Sequence, residues 1–182
     1  MIHTYYDPLQ TRLPIEMQPQ TYVIDNFKAI ELGCNCCGRI RLAGGFAEHL
    51  STLRRIYGAP MVLTSCCRCA THNGQISGHP NSAHICSAPT KHTETVDYGA
   101  CGVDVANPPE RLIRTAIALG WSVGVAQKFA HLDRIADYSQ SKTYQRLYYY
   151  DGVSLGPREH WNEVYPQIQL ARQTLAAMSW ES

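Results

Sequence analysis

The chain has 182 residues, enough for one domain with a full hydrophobic core and too few for two comfortable ones. Its apolar share of 45% and charged share of 17% are those of an ordinary soluble globular protein. A net charge of +1, from 16 basic and 15 acidic residues, gives no electrostatic footprint for nucleic acid or an anionic membrane surface, and no run of about 18 apolar residues offers a membrane span.

Residues 1–26 are rich in Pro, Gln and Tyr, lack a clean period, and read as an N-terminal arm. The cysteine-rich turn Cys34-Asn35-Cys36-Cys37-Gly38 follows. Phe46, Leu50, Leu53 and Tyr57 then recur at helical spacing, and Gly58 supplies a C-terminal stop. Met61-Val62-Leu63-Thr64, between Pro60 and a second cysteine cluster, suits a short buried strand. Residues 70–100 carry Gly, Pro, Ser, Asn and His throughout and read as loop.

Cys101 to Ala106 reads as a strand. Asn107 can cap the helix that Pro108 and Pro109 open; its apolar side is Leu112, Ile113, Ala116 and Leu119, and it ends at Gly120. Trp121 to Ala126 and Phe129 to Ile135 predict two more strands. The tail holds a Tyr-rich stretch, Tyr144 to Tyr150, and a helix from about Gln167 to Met178. This order predicts an α+β fold with helices packed on a small, mainly antiparallel sheet. The expected division is an arm at 1–26, a domain at 27–138 and a C-terminal extension at 139–182.

All eight cysteines fall between Cys34 and Cys101. The N-terminus, Met1 to Pro8, has no basic stretch followed by an apolar run, so no secretory signal is expected and synthesis is placed in the cytoplasm. Clustered thiols in such a chain are more often metal ligands than disulfides. Cys34, Cys36, Cys37, Cys66, Cys67 and Cys69 form a Cys-x-Cys-Cys and a Cys-Cys-x-Cys cluster. A cysteine pair from each would make a closed, structural tetrahedral metal site; disulfides between the clusters would staple the same segments.

A catalytic zinc needs three protein ligands and one open position, and nitrogen and carboxylate donors leave it more Lewis-acidic than thiolates do. His84 lies on the polar loop Asn81-Ser82-Ala83-His84. Asp104 sits inside the apolar strand Gly102-Val103-Asp104-Val105-Ala106, where burying a lone carboxylate costs several kcal/mol unless a cation compensates it. His131 and Asp133, two apart in Phe129-Ala130-His131-Leu132-Asp133, share one strand face. Taken singly, each histidine could be a satisfied core residue, and Asp104 could cap a turn or pair with Arg134.

At these residues the chain resembles the zinc D-Ala-D-Ala carboxypeptidases and peptidoglycan endolysin peptidases, whose fold is shared with the hedgehog signalling domain. Ser82-Ala83-His84 resembles the start, and Gly102-Val103-Asp104 the end, of the family's Ser-x-His-x-x-Gly-x-Ala-x-Asp segment. His131-Leu132-Asp133 resembles its last strand. Ser65-Cys66-Cys67-Arg68-Cys69, then His72-Asn73 and Ser77-Gly78, resembles its Ser-Gly-Tyr-Arg-Cys region, and Phe27 to Cys37 its opening. One departure is spacing: twenty positions separate His84 from Asp104, so residues 85–100 would be an insertion, with His92, Glu94 and Asp97 as substitute ligands and Cys86 and Cys101 near its ends.

The resemblance implies a zinc held by His84, Asp104 and His131, and attack of an activated water on the scissile carbonyl. Relatives often place the general base just before the last histidine, but Gln127-Lys128-Phe129 has no carboxylate there. Asp133 is the substitute, and its other reading is a partner that orients His131. Arg68 resembles the clamp for the substrate's carboxylate, although a loop arginine is commonly only solvated, and Ser82 would add a hydrogen bond to substrate. The implied partner is the peptidoglycan stem peptide, met at the cell wall after release or as part of a phage particle.

Two rivals stand beside the enzyme. A catalytically inactive relative could serve as a structural or wall-recognition component of a phage particle, docking through the tyrosines and tail, unless Tyr148 to Tyr150 simply pack as a half-buried strand. A cysteine-zinc binding module is the other.

Overall fold

Alternation of apolar and polar side chains between residues 102 and 133 sets the centre of the molecule. The computed structural model describes residues 22–86, 99–138 and 146–150, with Pro166, Gln167 and Leu170. Most of the arm, residues 87–98 and nearly all of the expected tail helix lie outside these residues.

The main sheet has five strands: β3 (Leu63–Ser65), β4 (Gly102–Ala106), β5 (Ser122–Val125), β6 (Phe129–Asp133) and β7 (Leu147–Tyr149), in the spatial order β3-β4-β6-β5-β7. All neighbours are antiparallel except β5 and β7, which are parallel. A separate hairpin, β1 (Tyr22–Ile24) with β2 (Phe27–Lys28), precedes it. The helices are α1 (Ala29–Leu32), α2 (Phe46–Tyr57), α3 (Ala70–Gln75), α4 (Glu110–Ala118) and α5 (Ile135–Tyr138). The fold is α+β.

Register gives the sheet two unlike faces, because side chains one residue apart on a strand point oppositely. Val105, Ala130 and Val125 lie abreast, as do Val103, Leu132 and Val123. These join the core formed by Phe46, Leu50 and Leu53 of α2 and Leu112, Ile113, Ala116 and Ile117 of α4. Phe46 and Trp121 meet edge to face at 5.6 Å. The opposite face carries the row Asp104, His131, Gly124, Tyr148 and, one step along, Gly102, Asp133, Ser122. Thus the apolar positions seat the helices, and the same alternation gathers the polar side chains on the other face.

Several local expectations change. Leu63–Ser65 is an edge strand and not a buried one: Val62, just before it, is 64% exposed. Pro109, with extended backbone, is the N-cap of α4, while Asn107 takes a positive φ of 40° and forms the bend before it. Residues 70–75, read as loop, form α3, capped by the Cys69 thiol accepting from the His72 N–H. Its sequence, Ala-Thr-His-Asn-Gly-Gln, has no apolar period to reveal it. Strand β7 comes from the stretch set apart as an extension and β1 from the arm, so folded structure continues beyond 27–138 on both sides. Among the described residues no helix is long and apolar enough to cross a membrane.

Candidate metal centre

His84 and Asp104 are distant in sequence yet adjacent in space, because the chain leaves and returns at one point. Ala83 O accepts from Cys101 N at 2.8 Å, and Arg68 O accepts from Cys86 N at 2.9 Å. Backbone hydrogen bonds therefore close the excursion at its base. Cys86 and Cys101 form no disulfide, and the Cys86 thiol lies within hydrogen-bond reach of that of Cys67. His92, Glu94 and Asp97 lie outside the described residues.

The two strands of the site need no such device. Asp104 and His131 are direct cross-strand partners on β4 and β6. Gly102 keeps the space beside them open: a Cβ there would lie 3.1 Å from His131 Cε1 and 2.9 Å from the Ala83 methyl. His131 Nδ1 is 2.9 Å from Asp104 Oδ1, His84 Nε2 is 3.1 Å from the same oxygen, and the two ring nitrogens are 3.0 Å apart. All three residues are buried.

These contacts specify tautomers as well as positions. His84 Nδ1 lies 2.8 Å from the Cys66 carbonyl, which can only accept, so this nitrogen carries the proton and Nε2 presents a lone pair. His131 Nε2 lies 3.3 Å from Asp133 Oδ2, so its proton is held there and Nδ1 faces Asp104. Two imidazole nitrogens and a carboxylate oxygen thus converge within hydrogen-bond distance of one another. Neighbouring donors on a tetrahedral zinc with bonds of 2.0–2.1 Å are about 3.3 Å apart. The triangle fits such an ion after an outward movement of a few tenths of an ångström.

A model of the family described as Peptidase M15 matches residues 24–133, more than half of the chain. The chain belongs to the Peptidase M15 family. No curated protein and no solved structure gives a significant match. The matched segment holds the whole donor triangle, and the observed α+β fold agrees with the M15 fold. The M15 family is zinc-dependent, which accords with the donor set found here.

The other residues singled out from the M15 resemblance take more specific positions. Arg68 donates through Nη2 to Asp104 Oδ2 and through Nε to Ser65 Oγ at 2.7 Å. It is therefore tied to the donor triangle rather than held ready for a substrate carboxylate. Ser82 Oγ accepts from the His84 N–H at 3.3 Å, which braces the turn bearing that ligand. Asp133 is fully committed: Oδ2 faces His131 Nε2 and Oδ1 accepts from Ile135 N at 3.0 Å. It sits across the imidazole from Nδ1, in the position of an orienting partner.

Three residues not singled out for this site complete its cleft, which has a volume of about 550 Å³. Tyr148, Tyr150 and Arg146 line it from β7 and the residues beside it. Gly124, opposite Tyr148, makes room for that ring, since a Cβ there would come within 2.5 Å of it. Arg146 lies over the Tyr148 ring at 4.9 Å, and its buried Nε has no hydrogen-bond partner among the described residues. The run Arg146 to Tyr150 reads as an amphipathic strand, but only its parallel pairing with β5 turns it toward His131.

The cysteines divide otherwise than as two pairs. Cys34, Cys36 and Cys37 gather with Cys69 alone. Cys66 and Cys67 are buried behind β3, where the Cys67 sulfur meets the Arg41 backbone and the Cys86 thiol. Cys67 is engaged there and Cys66 is only 1% exposed, so neither joins the turn. None of these six cysteines is in a disulfide.

Electrostatics follow from the geometry. Burial opposes charge on Asp104, yet its contacts with His131 and His84 hold its carboxyl well below the usual range. Burial dominates at His84 and lowers its pKa. At His131 burial also works against the charged form, but Asp104 and Asp133 outweigh it and raise the pKa from 6.5 to about 9. In the metal-free form this proton contributes stability that is fully present below pH 6.5 and is lost as pH rises through about 9. A metal bound at Nδ1 would displace it. Metal uptake near neutral pH is therefore expected to release a proton and to strengthen as pH rises; titration calorimetry in buffers of differing ionisation heat measures this, and uptake without proton release contradicts it.

Proposed function

We propose that this M15 protein is a zinc-dependent peptidase that cuts D-amino-acid-containing bonds in peptidoglycan stem peptides, as a carboxypeptidase or an endopeptidase. The observation that carries the reading is the convergence of three buried potential ligand atoms, from His84, Asp104 and His131, on the wall of a peptide-sized cleft. Zinc held there would supply Lewis acidity toward the scissile carbonyl.

The surrounding residues have separable tasks. Asp133 holds the proton of His131 on Nε2 and so keeps Nδ1 available. Arg68 occupies Asp104 Oδ2, leaving Oδ1 as the ligand atom. Tyr148 and Tyr150 keep their phenol protons, because burial raises both pKa values, and they act as donors to substrate oxygens. Arg146, with its unpartnered Nε, takes the role of holding a substrate carboxylate. Delivery to the cell wall, after release or within a phage particle, belongs to the same proposal.

One observation favours a second reading. Asp104 and Asp133 are the only carboxylates lining the cleft among the described residues, and both are engaged. An inactive relative that binds wall peptide, as part of a phage particle, would need no third.

Metal analysis with peptidoglycan digestion separates these readings. Wild type should release cleaved stem peptide, and His131→Ala should lose one zinc equivalent together with all cleavage. Arg146→Ala should raise KM for a peptide with a free carboxylate about tenfold or more with zinc unchanged. Zinc lost from His131→Ala but no products from wild type supports the inactive relative. Zinc content indifferent to His131 sinks the metal centre.

A further inference from the structure

We infer that Cys34, Cys36, Cys37 and Cys69 form a second metal centre, a closed tetrathiolate zinc site that pins the N-terminal turn to the start of α3. Their four sulfur atoms lie within 4.8 Å of one another. Cys36 Sγ and Cys69 Sγ are 3.6 Å apart, against about 3.8 Å for neighbouring sulfurs on a tetrahedral zinc with bonds of about 2.3 Å. The thiols are supplied three from one side and one from the other, and each side is shaped by backbone hydrogen bonds.

On the first side the chain doubles back on itself. Gly38 N donates to Cys34 O at 2.7 Å and Cys34 N to Arg39 O at 3.0 Å, with Gly38 at a φ of +66°. A turn this tight brings Cys34, Cys36 and Cys37 to one point, and the positive φ explains a glycine directly after them. On the second side Cys69 is the N-cap of α3, so its sulfur stands at the end of a rigid element.

The sulfurs are also solvated as thiolates need to be. Cys34 Sγ accepts from Cys69 N at 3.3 Å, and Cys69 Sγ accepts from His72 N at 3.3 Å. Such N–H donors offset the negative charge that four thiolates keep after binding a divalent ion. Binding releases the thiol protons, and no oxidant is required. Cys34 and Cys69 are buried whereas Cys36 and Cys37 are exposed, which gives the ion a path in.

The position explains what the site does for the rest of the molecule. Cys69 follows Arg68, which holds Asp104, and α3 leads to Asn73, whose Nδ2 donates to His79 O at 3.0 Å. The segment then runs through Ser82 to His84. Arg68 N also donates to His84 O at 2.8 Å, so securing Cys69 steadies both ends of the segment that runs from the arginine behind the carboxylate to the histidine. The proposal does not depend on peptidase activity.

The test counts metals and identifies their ligands in protein isolated with zinc. Wild type should contain two zinc ions per chain and His131→Ala one. X-ray absorption at the zinc edge of His131→Ala should show sulfur neighbours alone, at about 2.3 Å. Cys36→Ser/Cys37→Ser, both exposed positions, should lose that ion, and cobalt added to His131→Ala should give the intense visible bands of tetrahedral thiolate coordination. A single zinc in wild type that disappears with His131, nitrogen or oxygen neighbours in the remaining site, iron in place of zinc, or a Cys36–Cys69 disulfide found by mass spectrometry would each overturn the assignment. Because the count is made on a variant without the His84–Asp104–His131 centre, its failure is distinct from failure of the peptidase reading.

Discussion

Asp104→Ala is expected to abolish binding at the histidine centre and to destabilise the metal-free fold by about 3 kcal/mol. One carboxylate serves three neighbours: Oδ1 faces His131 and His84, and Oδ2 faces Arg68. Removing it takes the carboxylate from the Arg68 guanidinium and leaves the His131 imidazolium with Asp133 alone, both with little solvent, since the side chains of Arg68 and His131 are only 14% and 8% exposed. Asp104→Asn keeps the shape without the charge; it should cost less stability while still losing the metal. Denaturant unfolding with and without a chelator, beside zinc analysis, measures both effects. Unchanged zinc in either variant would falsify the assignment of Asp104 as a ligand.

The second large effect concerns Asp133. Asp133→Asn should lower zinc affinity at the histidine centre by about 10- to 100-fold. The amide oxygen can keep the bond from Ile135 N, which turns the NH2 group toward His131 Nε2. A donor facing that nitrogen moves the imidazole proton to Nδ1, the atom required by the metal. Saturating zinc separates the two roles considered for this residue. If Asp133 orients His131, activity returns toward wild type as zinc is raised. Loss of activity that persists at full zinc occupancy identifies it as the general base.

The arrangement has a consequence for how the centre is stabilised. Every atom that faces the metal position is backed by a partner that admits only one protonation state: the Cys66 carbonyl behind His84, the Asp133 carboxylate behind His131, and the Arg68 guanidinium behind Asp104. Such backing would organise these three side chains ahead of a metal ion, as the proposed centre requires. The apolar face of the sheet and the helices upon it hold β4 and β6 in register, so the pair Asp104 and His131 is as rigid as the core itself.

Much of this could be read in the chain. A carboxylate among Val103 and Val105, and a histidine two residues from an aspartate on an apolar strand, make Asp104 and His131 candidates by strand context, with the resemblance to the zinc peptidases supplying the ligand role, and helical spacing marks α2 and α4. Those signals are local, set by the two-residue and 3.6-residue periods. The rest depends on long-range packing that no local period encodes. His84 reaches its partners because a backbone hydrogen bond from Cys101 N to Ala83 O brings the two ends of the intervening segment together. Arg68 turns to Asp104, Asp133 lies behind the imidazole, and Tyr148 faces His131 because β7 adds to β5 in parallel. The cysteines, equal in sequence as two clusters of three, are sorted by the fold into one group of four around Cys69 and a buried remainder, since the Arg41 backbone and the Cys86 thiol, both distant in sequence, take up Cys67 while Cys69 caps α3 beside the turn.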